Sequence, residues 1–236
     1  MKNIIVAGAL GRMGKEIVSE LRKKDFLKVF GVDKDDDFPE VKPDLMIDFS
    51  TKEGVFEHLE YCKENNCAFL TGVTGFTSEE YDKIKSYGEF IPVLLDYNMS
   101  IGINVITSIL AELKNKLSSY DIEITETHHK NKKDAPSGTA KKLYDELNKK
   151  DEFKEVNGRK GFSLRQENEI GIHAVRGGGV FGEHTVRFLG DFEEVGIYHR
   201  AFSRKTFVTG AINSGLWLMK QDNGFYTMRD FLKVFD

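Results

Sequence analysis

The chain has 236 residues, of which 40% are hydrophobic, and its formal net charge is −4. This composition supports a sizeable core and argues against a disordered segment and against a general nucleic-acid surface. The N-terminal run "MKNIIVAGALG" is too short for a signal-peptide core, and no stretch approaches the about 20 apolar residues that span a bilayer. Only Cys62 and Cys67 are present, both on apolar segments, so we expect buried thiols and no disulfide framework. We therefore expect a cytoplasmic protein with no nucleic-acid or membrane partner.

The first hundred residues alternate strand and helix patterns. The predicted strands are "NIIVAG", "LKVFGVD", "DLMIDFS", "CAFLTGVTG" and "IPVLLD". Between them lie helical patterns with apolar faces at Met13, Ile17 and Leu21 and at Val55, Leu59 and Cys62; Ser50 or Thr51 can cap the second helix, and Thr77 with Glu80 forms a capping box for a third. Such alternation indicates βαβ units and predicts an α/β domain with a doubly wound parallel sheet of the Rossmann type.

After Asp96 the pattern changes. A long helix is predicted from about Ile101, with Val105, Ile109, Leu113 and Leu117 on its apolar face, and the alternating strand "DIEITET" follows. Three strand-like segments, "EIGIHAVR", "GEHTVRFLG" and "EEVGIYHRAF", are separated by short turns, which favours largely antiparallel pairing. The end of the chain returns to helix in "TFVTGAINSGLWLMK" and then to the polar "QDNGFYTMRD". The sequence thus predicts a second, mixed α+β domain, and the C-terminal helix could belong to either domain.

A glycine-rich turn, "GALGRMG", joins the first strand to its helix. Glycine permits a tight turn and close backbone approach, so the helix N-terminus can present its amides to a pyrophosphate. Asp33 ends the second strand 19 residues beyond Gly14, where an acid that bonds a ribose 2′-hydroxyl is expected. A purely structural turn and a solvated carboxylate are the alternatives. The charge of Asp33 favours NAD, whereas Arg12, Lys34 and Lys52 could attract a 2′-phosphate; we expect both cofactors to bind, with NADH no worse than NADPH.

Two other strand ends should face the same crevice, because ligands of open α/β sheets bind beyond the carboxyl ends of the strands. These are "TGVTGF", residues 71–76, and "DYNMS", residues 96–100. Their backbone and small hydroxyls could position a nicotinamide carboxamide, with Met99 against the ring. Either segment could also be an ordinary loop.

The stretch from Glu126 to Ala140, "ETHHKNKKDAPSGTA", concentrates positive charge before a helix start. Ser137 and the residues around it predict a helix N-terminus, and the amides of Gly138 and Thr139 would form an anion site. A basic strand end beside such a site suits a small carboxylate ligand and can supply proton donors; its residues are His128, His129, Lys130, Lys132 and Lys133. The alternatives are a solvated lysine face, a structural histidine pair and a zinc site, for which no third ligand lies at motif spacing.

In order along the chain, these motifs closely resemble the 4-hydroxy-tetrahydrodipicolinate reductase family, formerly called dihydrodipicolinate reductases. "ETHHKNKKDAPSGTA" matches the family signature E-x-H-H-x-x-K-x-D-A-P-S-G-T-A at every specified position. "GALGRMG", "DFS", "NMSIGIN" and "GEHTVRF" match further family motifs, and "TGVTGF" does so with Val73 in place of a threonine. The fifteen-residue signature is specific, whereas the glycine loop alone is not.

The resemblance implies the reaction and the organisation of the chain. A cyclic dicarboxylate, 4-hydroxy-tetrahydrodipicolinate, loses water and is reduced by NADH or NADPH to tetrahydrodipicolinate in diaminopimelate and lysine biosynthesis. The resemblance also implies a homotetramer, a Rossmann domain at residues 1–99 completed by 208–236, and a substrate-binding and tetramerisation domain at 100–207. Because cofactor and substrate would bind different domains, closure is expected to assemble the site.

The resemblance further implies roles for individual residues. His128 is the implied proton donor and acceptor and Lys132 the second proton donor, while His129, Gly138 and Thr139 would bind substrate carboxylate. The implied cofactor-binding residues are Gly8, Ala9, Leu10, Gly11, Arg12, Met13, Asp33, Lys34, Gly72, Val73, Thr74, Asp96, Tyr97, Asn98 and Met99; no metal is implied. Only about ten residues separate Asp33 from "DLMIDFS", fewer than in longer members, which puts the role of Lys34 in doubt.

Two other functions are compatible with parts of the sequence. A catalytically silent NAD-binding protein, such as a redox sensor, would keep the glycine loop but would not need the His-His-Lys set. An oxidoreductase similar to aspartate dehydrogenase would keep hydride transfer but act on an amino acid, and the "DAPSGTA" loop argues against it.

Overall fold

The computed structural model describes residues 1–34 and 36–235. The chain forms two compact units. Unit 1 comprises Met1–Ile101 together with the chain from Lys205 onwards, and unit 2 comprises Gly102–Arg204. No helix of the described residues is both long enough and apolar enough to cross a membrane.

Eleven strands and seven α-helices are present in the part of the chain that the structure describes. In chain order they are β1 (Lys2–Ala7), α1 (Arg12–Leu21), β2 (Leu27–Val32), β3 (Leu45–Asp48), α2 (Lys52–Glu64), β4 (Ala68–Thr71), α3 (Ser78–Ser86), β5 (Pro92–Leu95), α4 (Ile101–Lys116), β6 (Asp121–His128), α5 (Gly138–Leu147), β7 (Lys154–Asn157), β8 (Glu169–Arg176), β9 (Gly182–Leu189), β10 (Glu194–Ala201), α6 (Lys205–Leu218), β11 (Gly224–Tyr226) and α7 (Met228–Leu232).

Unit 1 contains a six-stranded sheet in the order β11-β5-β4-β3-β1-β2, and all its strand pairs are parallel. All four residues of β3 and of β4 are buried, because helices cover both faces of the sheet. This confirms the predicted doubly wound architecture. The edge strand β11 was not predicted, since three residues inside a polar segment are too few to show a strand period.

Two apolar clusters fill the two faces of this sheet. One contains Ile17 and Leu21 of α1 with Val208 of α6, and the other contains Val55, Leu59 and Cys62 of α2 with Ile84 of α3. The predicted apolar faces of α1 and α2 are therefore confirmed at these residues, and both cysteines are free and buried. The N-cap of α2 is Thr51, and the predicted capping box of Thr77 and Glu80 opens α3.

Unit 2 contains a five-stranded mixed sheet in the order β10-β9-β6-β8-β7. The predicted antiparallel pairing is correct for β9 with β10 but wrong for β8 with β9, because β6 lies between them and pairs with β8 in parallel. The connection from β8 to β9 passes the end of β6 and is fixed there by hydrogen bonds from Gly177 N to His128 O (2.9 Å) and from His129 N to Val180 O (2.7 Å). Strand β7 was also not predicted.

The predicted apolar face of α4 is wrong at its N-terminal half. Ile103, Ile106 and Leu110 are buried, whereas Val105 and Ile109 are 43% and 39% exposed. A series of residues four apart advances about 40° around the helix at each step, so it leaves one face within a few turns. Steps of three and four, as in the buried series, stay on one side.

Candidate active site

The glycine loop of unit 1 is closely packed against the end of β3. Gly8 has a positive φ of 73°, and a Cβ there would lie 2.6 Å from the carbonyl oxygen of Phe49. A Cβ at Gly14 would lie 2.1 Å from the carbonyl oxygen of Gly8. Gly11 is the N-cap of α1 and supplies no side-chain cap. Glycine is thus required at positions 8 and 14, and the backbone amides at the start of α1 carry no side-chain cap, as a pyrophosphate site needs.

Asp33 lies beside this loop, where the sequence predicts it. Its Oδ2 accepts a hydrogen bond from Leu10 N (2.9 Å), and its Oδ1 accepts one from Lys34 N (3.1 Å). Asp33 N in turn donates to Asp36 Oδ2 (2.8 Å). The acid proposed for a ribose is therefore fixed against the glycine loop by the backbone on both sides.

A cavity of about 340 Å³ lies at the carboxyl ends of β3 and β4. The predicted segment Gly72, Val73 and Thr74 lines one side of it, and residues 49–52, which run from β3 into α2, line the other. A Cβ at Gly72 would lie 2.3 Å from Cε1 of Phe49, so the aromatic ring packs directly on the glycine. Lys52, a predicted phosphate partner, forms an ion pair with Glu80 at 2.7 Å.

A hydrogen-bonded pair that sequence reasoning missed, Asp48 with His58, supports the Phe49 side of the cavity. Asp48 is fully buried; its Oδ2 lies 2.7 Å from His58 Nδ1, and its Oδ1 accepts a hydrogen bond from Ser50 N (2.7 Å). The carboxylate therefore fixes the turn between β3 and α2. In the sequence, Asp48 lies at the end of a predicted strand and within "DFS", but nothing there indicates His58 as its partner.

The loop from Asp96 to Met99 is built into unit 1. Asp96 is buried, and its carboxylate accepts hydrogen bonds from Asn98 N (3.1 Å) and from Met228 N (3.3 Å), the first residue of α7. Met99 is 2% exposed and packs in the core, whereas Tyr97 is 49% exposed. The Asp96 carboxylate thus fixes the loop and the start of α7, the Met99 side chain packs in the core, and the Tyr97 side chain is half exposed.

In unit 2, the alternation of β6 continues from the core into polar residues. Ile122, Ile124, Glu126 and His128 are buried on one face of the strand. The Glu126 carboxylate accepts hydrogen bonds from Arg176 Nη1 (2.8 Å) and Nη2 (2.7 Å) and from Ser137 N (3.1 Å), and it lies 2.5 Å from His128 Nδ1. Burial alone would raise the pKa of Glu126, but the hydrogen bonds from Arg176, His128 and Ser137 outweigh it, and the pKa is lowered.

His128, the predicted proton donor, lies among charged and aromatic neighbours. Its ring meets the ring of His184 edge-on, with 5.1 Å between centroids. Burial lowers the pKa of His128; the hydrogen bond and charge of Glu126 oppose this, and the charges of Lys132 and Arg176 lower it further. Burial, with the neighbouring His128, lowers the pKa of His184 to about 3, so that ring is neutral at physiological pH.

Lys132, the predicted second proton donor, lies in the turn that follows β6. Its Nζ lies 2.9 Å from Asp134 Oδ1, and its backbone amide donates to His129 O (3.1 Å). His129 Nδ1 is buried and makes no hydrogen bond within the described residues. The structure thus places Lys132 on the turn beside His128, and it leaves a buried polar atom of His129 for which a ligand is one explanation.

Helix α5 begins where the sequence predicts. Ser137 is the N-cap; its Oγ accepts a hydrogen bond from Ala140 N (3.2 Å) and lies 3.2 Å from His184 Nε2. A Cβ at Gly138 would meet no atom within 4 Å, so the first turn is open at that point. Glu126, Arg176 and His184 were missed as site residues. The signals available were the burial alternation of "DIEITETH" and the "GEH" of β9.

The arrangement defines a class of protein. A doubly wound parallel sheet, with a close-packed glycine loop after its first strand and an acid after its second, is the dinucleotide-binding arrangement. Unit 2 adds a buried imidazole and an ammonium beside an open helix N-terminus, which suits proton transfer to an anionic substrate. Among the described residues, no group of three or more His, Cys, Asp or Glu side chains could hold a metal ion. The chain is a nicotinamide-dinucleotide-dependent oxidoreductase.

Comparison with known proteins specifies the family. The family models "Dihydrodipicolinate reductase, N-terminus" and "Dihydrodipicolinate reductase, C-terminus" match residues 2–99 and 102–232. The chain is 40% identical over 251 residues to a 4-hydroxy-tetrahydrodipicolinate reductase of Clostridium novyi (strain NT), covering 99% of each chain. It is 41% identical over 260 residues to one of Aquifex aeolicus (strain VF5), covering 97% of this chain and 98% of the relative.

A solved structure has the same fold. It is described as dipicolinate-bound dihydrodipicolinate reductase from Paenisporosarcina sp. TG-14, with a TM-score of 0.79, 24% identity and coverage of 96% of this chain and 97% of that one. The chain belongs to the dihydrodipicolinate reductase family, which confirms the resemblance seen in the sequence. Its reaction is the NAD(P)H-dependent reduction of 4-hydroxy-tetrahydrodipicolinate in diaminopimelate and lysine biosynthesis.

Proposed function

We propose that unit 1 accepts both NADH and NADPH, with NADH no worse a substrate. The glycine loop, Asp33 and the segments 72–74 and 96–99 would hold the dinucleotide. The fit is supported by the missing Cβ atoms at Gly8 and Gly14, which let the loop pack tightly and leave the start of α1 to a pyrophosphate. The negative charge of Asp33 disfavours a 2′-phosphate, whereas Arg12 and Lys34 are exposed cations that attract one. The pairing of Lys52 with Glu80 makes it a weaker phosphate partner.

We propose that unit 2 binds the dianionic substrate at the end of β6 and the start of α5. Gly138 and Thr139 would bind one carboxylate at the first turn of α5, where the structure leaves space beside Gly138. His129, whose buried Nδ1 has no hydrogen-bond partner among the described residues, would donate to a carboxylate oxygen. A dianionic substrate would give the basic end of β6 and this helix start a reason to share one loop.

The reaction needs protons delivered to defined positions. When bound, the reduced nicotinamide supplies a hydride to the conjugated C=C–C=N system that remains after water has left. Negative charge then develops on the substrate nitrogen and its conjugated carbon. His128, as proton donor and acceptor, assists the loss of water and the protonation of the reduced substrate. Lys132 is the second proton donor. Cationic donors directed at developing charge stabilise the transition state more than the ground state.

The observation that carries these assignments is the shared environment of the two donors. His128 lies on the buried face of β6, and Lys132 is near enough for its charge to lower the pKa of His128. Only one turn of chain, closed by the hydrogen bond from Lys132 N to His129 O, separates them. A silent NAD-binding protein would not require this arrangement.

We also propose a homotetramer formed through residues 100–207 and a cytoplasmic location. Unit 2 carries several fully or largely exposed aromatic side chains, among them Phe162, Phe192 and Phe202, which supports a protein–protein contact. Light scattering coupled to size-exclusion chromatography measures the assembly directly, and a monomer at micromolar concentration would contradict it.

A coupled assay tests the activity. Purified protein is supplied with the product of the enzyme that condenses pyruvate with aspartate semialdehyde, and the loss of reduced-nicotinamide absorbance is followed with NADH and with NADPH. Turnover with both cofactors is expected, and a preference for NADPH above a hundredfold would overturn the cofactor proposal. A panel of amino acids with NAD is the control for an amino-acid dehydrogenase, and turnover there without activity on the cyclic substrate would overturn the assignment.

A further inference from the structure

Glu126 is the centre of a buried hydrogen-bond network in unit 2. It is fully buried, and its two oxygens together face four donors: both terminal nitrogens of Arg176, the amide of Ser137 and Nδ1 of His128. A buried carboxylate is expensive unless it is paired and hydrogen-bonded, and the bidentate Arg176 fork meets that condition. The carboxylate is therefore ionised.

An ionised carboxylate accepts hydrogen bonds and donates none. At 2.5 Å from Glu126 Oε2, the Nδ1 of His128 must therefore carry a proton. In a neutral imidazole this leaves Nε2 as the free acceptor, and in the imidazolium it makes Nε2 the donor. Nε2 faces the backbone of Gly182, where a Cβ would lie 3.0 Å away, so the side of the ring that exchanges protons borders a glycine.

Arg176 extends the same network to the second donor. Its Nη2 also donates to the carbonyl oxygen of Asp134 (2.6 Å), and the carboxylate of Asp134 lies 2.9 Å from Lys132 Nζ. Arg176 is opposite His128 in the parallel pairing of β6 with β8, so strand register fixes its position. Through Ser137 N, Glu126 is also bonded to the residue that caps α5. One ion pair thus contacts the histidine, the turn that carries the lysine and the start of the helix.

We propose that Glu126 and Arg176 are positioning residues that hold His128 as the Nδ1–H form, with Nε2 as the atom that exchanges protons with substrate, and that fix Asp134 as the partner of Lys132. The proposal rests on the proposed role of His128 in the reaction. Neither residue needs to touch the substrate.

The charges around His128 predict how the network affects the pH profile. Burial and the charges of Lys132, in the turn after β6, and Arg176 of β8 disfavour the imidazolium, whereas Glu126 of β6 stabilises it. The ring of His184 of β9 also meets that of His128. An acid that must be protonated loses activity as the pH rises through its pKa. Neutralising Glu126 should lower that pKa, and the alkaline limb of kcat should move to lower pH.

The test compares two carboxylates of one sheet. Glu126→Gln keeps the shape and removes the charge, and Glu126→Asp keeps the charge. Glu169→Gln is the matched control, since Glu169 is also buried in this sheet and paired with an arginine, Arg159, at 2.9 Å. We expect Glu126→Gln to lower kcat by about 10- to 100-fold, at or below the lower end of the loss of a general acid, and to shift the alkaline limb. Glu126→Asp should bring the alkaline limb of kcat part of the way back to its wild-type pH. Glu169→Gln should leave the limb at its wild-type pH.

Two further measurements keep the proposal testable if Glu126→Gln does not fold. The double variant Glu126→Gln/Arg176→Met leaves no unpaired buried charge, and the limb should still move to lower pH because Glu126 influences His128 more than Arg176 does. In the wild-type protein, long-range ¹H–¹⁵N NMR of the imidazoles reads the tautomer directly. A neutral His128 that carries its proton on Nε2 would overturn the proposal.

His128→Asn separates this inference from the proposed function. If His128→Asn retains the alkaline limb, the role of His128 itself is wrong. If it loses the limb while Glu126→Gln keeps the wild-type profile and rate, His128 acts without Glu126, and only the positioning proposal is refuted.

Discussion

Replacing Gly8 by alanine tests whether the glycine loop depends on close backbone packing. Gly8 has a φ of 73°, and a Cβ would lie 2.6, 2.8 and 2.9 Å from backbone atoms of Phe49 and Ser50. Alanine in the left-handed region costs about 1–2 kcal/mol. Forcing a methyl group into a packed site costs about 1–3 kcal/mol more, and backbone neighbours cannot rotate away.

Gly75→Ala is the matched control for this prediction. Gly75 also has a positive φ, 91°, but a Cβ there would meet no atom within 4 Å. Gly75→Ala should therefore lose only the conformational free energy of the left-handed backbone. The two variants should differ by about 1–3 kcal/mol in free energy of unfolding. For a chain of this size that corresponds to roughly 2–12 °C in Tm, since about 1 kcal/mol shifts Tm by about 2–4 °C.

Thermal unfolding followed by circular dichroism measures the difference, and titration with NADH gives the accompanying loss of affinity. Affinity should fall in Gly8→Ala because displacement of the loop also moves Leu10 N, which is bonded to Asp33. If Gly8→Ala and Gly75→Ala unfold at the same temperature, the packing against Phe49 does not constrain the loop and the reasoning fails.

Three further outcomes are expected. Lys132→Ala should lower kcat by about 10²–10⁴-fold with NADH affinity nearly unchanged, as for a lost general acid. Full turnover of this variant, measured as loss of reduced-nicotinamide absorbance, would contradict the role of Lys132 as proton donor. Asp33→Ser should improve kcat/KM for NADPH relative to NADH, because the charge that repels a 2′-phosphate is removed; an unchanged ratio would place the adenosine end elsewhere. His184→Gln should reduce the loss of stability on acidification. The unfolded chain binds a proton at His184 below about pH 6.5, whereas the folded state, with a pKa of about 3, does not, so stability falls as the pH drops between these values. Urea unfolding at pH 7 and 4.5 checks this, and an equal loss in variant and wild type would argue against it.

The sequence by itself determined the features that depend on neighbours in the chain. Apolar runs separated by helical periods predicted the parallel sheet of unit 1, and local capping residues such as Thr77 and Ser137 marked where helices begin. The glycine loop with Asp33, and the stretch that holds His128 and Lys132, were also visible as spacing and as resemblance. These signals are local because a helix start, a turn or a strand period is specified within a few residues.

Only the tertiary structure decided what joins distant residues. Strand register brings Arg176 beside Glu126 across 50 positions of sequence, and the strand order places β6 between β8 and β9. The buried side of α4 depended likewise on which face met the sheet, so Ile103 was buried and Val105 was not. Strand order and ion pairs are chosen by packing over the whole unit, and no local pattern encodes a partner that lies on another strand.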